Sequence, residues 1–191
     1  LTIPGAAFGD IALVPAPFNR KIQDAMGFEW DIDAKGCVQR GSNCFQSAGA
    51  LSVNGSSFSP TKNMMTKDGT EFVLTGTKSG IQITRRIRVD VKTATVRYVE
   101  VLHNPGTAPV TLSIQIATRL QSSVRSALTN LGRGISSSSS SAVHTLTDKE
   151  CGLVVTRSSS SYPAVVCYLA GARSEVKPTI QRQGSYQFVF S

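Results

Sequence analysis

No apolar run in this 191-residue chain approaches the ~20 residues that a membrane-spanning helix needs. None is therefore expected to cross a bilayer as a helix. No cysteine pair has C-x-x-C spacing, and the two histidines, His103 and His144, lie far from the cysteines. Zinc sites of the usual spacing are thereby excluded. There is no G-x-S-x-G elbow, no phosphate-cradling glycine loop and no aromatic RNA-binding signature. Hydrolases of the elbow type, nucleotide enzymes and sequence-specific nucleic-acid binders lose their motifs with them. Charged residues reach only 17% and there is one tryptophan. Low charge with many Ser and Thr suits a secreted or surface β protein better than a helical cytosolic one. The expectation is a chain without catalytic residues, metal or cofactor.

What the chain does have is period-two alternation, most plainly from Ile81 to Leu120. Ile81, Ile83, Ile87, Val89 and Val91 fall on one face, and Gln82, Thr84, Arg86, Arg88 and Asp90 on the other. Val110, Leu112, Ile114 and Ile116 repeat the pattern. Alternate side chains of a strand point to opposite faces, so one set meets a core and the other water. Between these runs Val96, Tyr98 and Leu102 oppose Val99 and Val101, so both faces are apolar. Such a run reads as a central strand covered on both sides. The three together predict an antiparallel meander.

Residues 1–28, with Pro4, Pro15 and Pro17, read as an extended N-terminal arm whose one apolar run is Ile11 to Val14. The chain opens on Leu1 without a basic-then-apolar leader, which a processed N-terminus or a fragment boundary explains equally. Residues 29–191 read as one β-sandwich domain. Phe28–Asp33 is a strand, Asn54-Gly55 a hairpin turn, Asp68-Gly69 and Ser79-Gly80 further turns. Residues 121–141, ending in six serines, read as a flexible insertion that is a short helix or an irregular loop. Five short strands follow, the last from Ser185 to Phe190. The fold class is all-β, an antiparallel sandwich of about 11–12 short strands with a Ser-rich loop. The C-terminal strand is expected at a sheet edge. The arm would cover that edge either in its own subunit, the simpler case, or in a neighbouring one, in which case the protein self-associates through its termini.

Four cysteines suggest disulfides, Cys37–Cys44 and Cys151–Cys167 among the three connectivities open to them. Net charge is +8, and the one tight basic cluster is Arg85, Arg86 and Arg88. It is the candidate for a polyanion, set against a solvated sheet surface. Trp30, Tyr162 and Tyr186 are candidates to stack on a sugar ring. Asp31 and Asp33 share a strand face that is most simply exposed, while Glu100 and His103, three apart on a strand, face opposite ways.

The stretch VLHNPGTAPVTLSI, Val101 to Ile114, resembles the strand–Asn-x-Gly–strand passage of secreted bacterial immunoglobulin-like modules. The wider run Ile81 to Thr118 is similar to strands of galactose-mutarotase-type supersandwich domains. That resemblance implies a carbohydrate-binding or carbohydrate-active module, although no motif here matches the catalytic His and acid of those enzymes. The leading expectation is a non-enzymatic, extracellular or cell-surface building block, structural or adhesive. Its partners would be copies of itself or other surface proteins, with a glycan or a polyanion as the rival ligands.

Overall fold

Alternation translates directly into burial along the longest strand. Ile81, Ile83, Arg85, Ile87 and Val89 are buried, while the residues between them are exposed or half-buried. In this computed structural model residues 12–41, 44–136, 142–159, 161, 163–171 and 174–191 are described, and no helix occurs among them. The chain begins with β1 (Leu13–Pro15), β2 (Arg20–Gln23), β3 (Glu29–Ile32), β4 (Val38–Gln39), β5 (Phe45–Val53) and β6 (Ser56–Ser57). Next come β7 (Lys62–Thr66), β8 (Glu71–Lys78), β9 (Ile81–Asp90), β10 (Thr95–His103), β11 (Ile114–Leu120) and β12 (Val124–Thr129). The last are β13 (Val143–Thr145), β14 (Gly152–Arg157), β15 (Val165–Tyr168), β16 (Thr179–Gln183) and β17 (Gln187–Phe190).

These strands form three antiparallel sheets that pack together as an all-β sandwich. One runs β1-β7-β8-β9-β10, one β13-β16-β17-β11-β5-β4-β3-β2 with β6 on β5, and one β12-β14-β15. All three line one core. Trp30, Ile32, Val38 and Phe45 come from the largest sheet, Phe72, Leu74 and Ile87 from the five-stranded one, and Leu153 and Val155 from the smallest. The expected turns are present. Asn54 and Gly55 both have positive φ, as do Ser79 and Gly80, which suits tight hairpins.

Several expectations are corrected. The meander breaks after its second strand: β9 pairs β10, but β11 crosses to the large sheet between β17 and β5. β10 is therefore an edge strand and not a central one. β17 is an inner strand held by β11 and β16, so the chain end offers no free edge. The part of the arm within the described residues lies on its own chain, Leu13 against Thr66 and Pro15 against Met64. Residues 121–136 are not a loose insertion, because β12 carries buried Val124 and Ala127 into the core. Most of the serine run, 137–141, lies outside the described residues.

The four cysteines are free thiols. In the β4–β5 hairpin Val38 pairs Ala48, so the position opposite Cys37 is near Gly49, about five residues (roughly 15 Å) from Cys44. Cys167 sits opposite Leu153, which leaves Cys151 on a diagonal. Diagonal neighbours stand about 7–8 Å apart, beyond the reach of a disulfide. Burial pushes the Cys37 and Cys44 thiols up to about 11 and Cys167 to about 12, so all three stay protonated at neutral pH.

Candidate functional site

The β9–β10 hairpin places a charged cluster inside and an apolar surface outside. Directly opposite residues share a face, and Glu100 lies opposite Arg85 and Tyr98 opposite Ile87. All four point inward. Arg85 is 1% exposed, and a buried guanidinium needs partners for its donors. One donor is taken by the carbonyl of Gly49 on the facing sheet, while the charge is met by Glu100 Oε1 at 3.4 Å from its Nε and by the Tyr98 ring at 4.7 Å. The Tyr98 hydroxyl donates to the Ala48 carbonyl at 3.4 Å. Gly49 is required here, since its φ of 76° disfavours a side chain and a Cβ would collide with the Tyr98 ring. Burial, opposed by the Arg85 charge, raises the Glu100 carboxyl above its ordinary range. Burial likewise raises the Tyr98 phenol. The cluster ties the inner face of β10 to β5.

Outward, β10 presents Thr95, Arg97, Val99, Val101 and His103. Val99 is 37% and Val101 42% exposed. The register with β9 runs unbroken from Thr95 to His103, so no bulge twists the strand away. It contains no proline. Its second edge carries no strand among the described residues. Edge strands are normally blunted by bulges, prolines or charges, and of these β10 has Arg97 facing out and Glu100 facing in, the latter already matched by Arg85. The register also sets Met64, Val73, Arg86 and Val99 in one row across the sheet. Arg86 is half-buried there and its charge is met by Glu71 at 2.5 Å.

The residues singled out in the sequence are dispersed. Trp30 is 7% exposed and donates its indole N–H to Asp24 Oδ2 at 2.8 Å. It is a core anchor and not a stacking platform. Tyr186 is exposed in the β16–β17 turn, and Tyr162 lies outside the described residues. No sugar platform is assembled among those described. Arg85 points into the core and Arg86 is engaged by Glu71, which leaves Arg88 as the one exposed member of the trio. A polyanion cannot reach Arg85. Asp33 is spent on its own loop, accepting from the Lys35 and Cys37 N–H groups and from Gln39. A shallow cleft of about 300 Å3 beside Thr66 sets Lys67 and Arg88 against Asp68 and Glu71, with no net preference for either sign.

Two features escaped the sequence. One is Arg97 opposite Arg88 on the outer face, which only the register reveals. The other is the buried Glu150, whose carboxylate accepts from the Thr147 N–H at 2.9 Å and lies 3.3 Å from both His144 and Arg133. Burial pushes its carboxyl up, but the hydrogen bonds from Thr147, Thr129 and His144 prevail and hold it at about 2. No family model, no curated protein and no solved structure matches this chain.

Proposed function

We propose that this chain is a non-enzymatic structural or adhesive β-sandwich module of an extracellular or cell-surface protein, which joins its neighbours through the free edge of β10. The observation that supports this reading is the combination on β10 of an edge that carries no strand among the described residues with exposed Val99 and Val101. Backbone groups at such an edge give affinity by strand addition, and alternate side chains give register. The Arg85–Tyr98–Glu100 cluster holds the strand against the body of the protein, so the edge is presented pre-formed. Pre-formed surfaces lose less freedom on association. The surface location rests on the low charge fraction and the Ser/Thr-rich composition. The free thiols withdraw the support that disulfides would have lent it. Carbohydrate and polyanion binding fall behind because Trp30 and Arg85 are buried.

The test is attachment. Beads carrying the module should cluster with one another or bind a surface-protein extract. A Val99→Lys, Val101→Lys double variant, checked by circular dichroism for unchanged fold, should lose that attachment. Attachment unchanged in the double variant would overturn the reading.

A further inference from the structure

We infer that the partner at the β10 edge is a second copy of the same edge, joined antiparallel about a two-fold axis through Val99. This inference rests on the reading above and adds to it the partner and the register. Closed two-fold contacts use the same patch on both subunits, so the patch must complement itself. β10 meets that condition in its one full-overlap register. With Val99 facing Val99, Thr95 meets His103, Val96 meets Leu102, Arg97 meets Val101, and Tyr98 meets Glu100. Every one of the strand's nine residues is paired, and no like charges face each other.

Neighbouring registers do worse. A slip of one residue sets the inner face of one copy beside the outer face of the other. Moving the axis to Glu100 brings two carboxylates together, moving it to Tyr98 leaves Leu102 and His103 of each copy unpaired, and moving it on to Arg97 brings two guanidinium groups together. Like charges directly opposite are destabilising. In the Val99 register the outer face gathers Val99 and Val101 of both copies into one apolar patch. The stem of each Arg97 lies along the opposing Val101 while its charge stays in water. On the inner face each Glu100, already beside Arg85, gains a Tyr98 ring as its cross-strand neighbour. Two five-stranded sheets would merge into one continuous sheet.

Site-directed cross-linking tests the register. Under mild oxidation Val99→Cys should give a covalent dimer on a non-reducing gel. Arg97→Cys and Val101→Cys should each stay monomeric alone and cross-link when mixed. The unsubstituted protein, whose native thiols are at least partly buried, is the control and should not cross-link. Its mass by light scattering should be that of two chains at micromolar concentration and above. A dimeric mass without a Val99→Cys cross-link would overturn the register. A monomeric mass, with bead attachment to a surface extract still abolished by the double lysine variant, would overturn the second copy and leave the edge reading standing. Attachment indifferent to the double variant would remove both.

Discussion

Arg85 shows how one residue can satisfy a strand pattern and contradict it chemically. Its position on β9 is an inner one, and the alternation says so, but a charge there survives only because Glu100, Tyr98 and Gly49 receive it. Arg85→Ala should cost about 3–5 kcal/mol in urea denaturation, because Glu100 would be left buried without its counter-charge. Arg85→Met keeps the volume but also strands Glu100, so it should recover only the packing part of that loss, and Glu100→Gln added to it should recover most of the rest. The two buried glutamates should then leave opposite signatures on stability against pH. Glu100 has its carboxyl raised above 4.5 by burial, against the pull of Arg85. Its contribution is therefore complete below 4.5 and is lost as pH rises through the raised value. Glu100→Gln should gain on the parent as pH rises from 4.5 through the raised value. Glu150 is held at about 2 against an ordinary 4.5, so its contribution is present above 4.5 and lost as pH falls towards 2. Glu150→Gln should flatten that acid limb and lower stability at neutral pH by about 2 kcal/mol. Denaturation midpoints at a series of pH values separate the two. Parallel slopes for the two variants would contradict both assignments.

At the scale of elements, legibility followed the regularity of the alternation. β9 could be read because its apolar residues recur every second position, and the strands from β13 to β17 because short apolar runs stand between Ser-, Gly- or Pro-bearing separators; the Asn54-Gly55 turn was plain from its two residues. β10 was read as a strand but misplaced in its sheet. A run apolar on both faces suits a buried central strand, and it suits equally a strand whose outer face awaits a partner; no periodicity separates the two. β12 was lost for a different reason. The pairing slips between Val124 and Ser126, so the buried apolar residues are Val124 and Ala127, three apart, with Thr129 buried beyond them. That spacing mimics a helix, and the bulge that restores the strand is a property of pairing with β14. The very short strands carry too few residues for any period, hence seventeen strands among the described residues where about a dozen were expected. The cysteine pairing failed because register, not sequence distance, decides which side chains meet. Of the candidate site, the residues were legible and their arrangement was not: Val99, Val101 and Glu100 were all in view, but not the free edge that joins them. Val124→Ala should cost about 1–2 kcal/mol, the burial of two methyl groups plus a small cavity. A loose insertion over 121–141 would leave stability unchanged.

For the whole molecule, charge and apolar area pull the assembly in opposite directions, and that opposition can be measured. Each copy carries +8, so two copies repel as they approach. Eight charges on each of two bodies with centres roughly 30 Å apart repel by about 9 kcal/mol in unscreened water. With a Debye length of about 30 Å near 0.01 M salt, about a third of that survives; with about 10 Å near 0.1 M, only about a twentieth does. The difference, on the order of 3 kcal/mol, is roughly a hundredfold in the dimer association constant. The β10 contact itself is made of backbone hydrogen bonds and valines, which salt in this range screens little. Association should therefore strengthen as salt rises. Binding to a polyanion through the Lys and Arg side chains would weaken steeply over the same range, because neutralised phosphates or sulfates release counterions. Sedimentation equilibrium at four salt concentrations reads this sign directly. A dimer constant that falls between about 0.01 M and 0.1 M salt would mean that ion pairs, rather than the apolar edge of β10, hold the copies together.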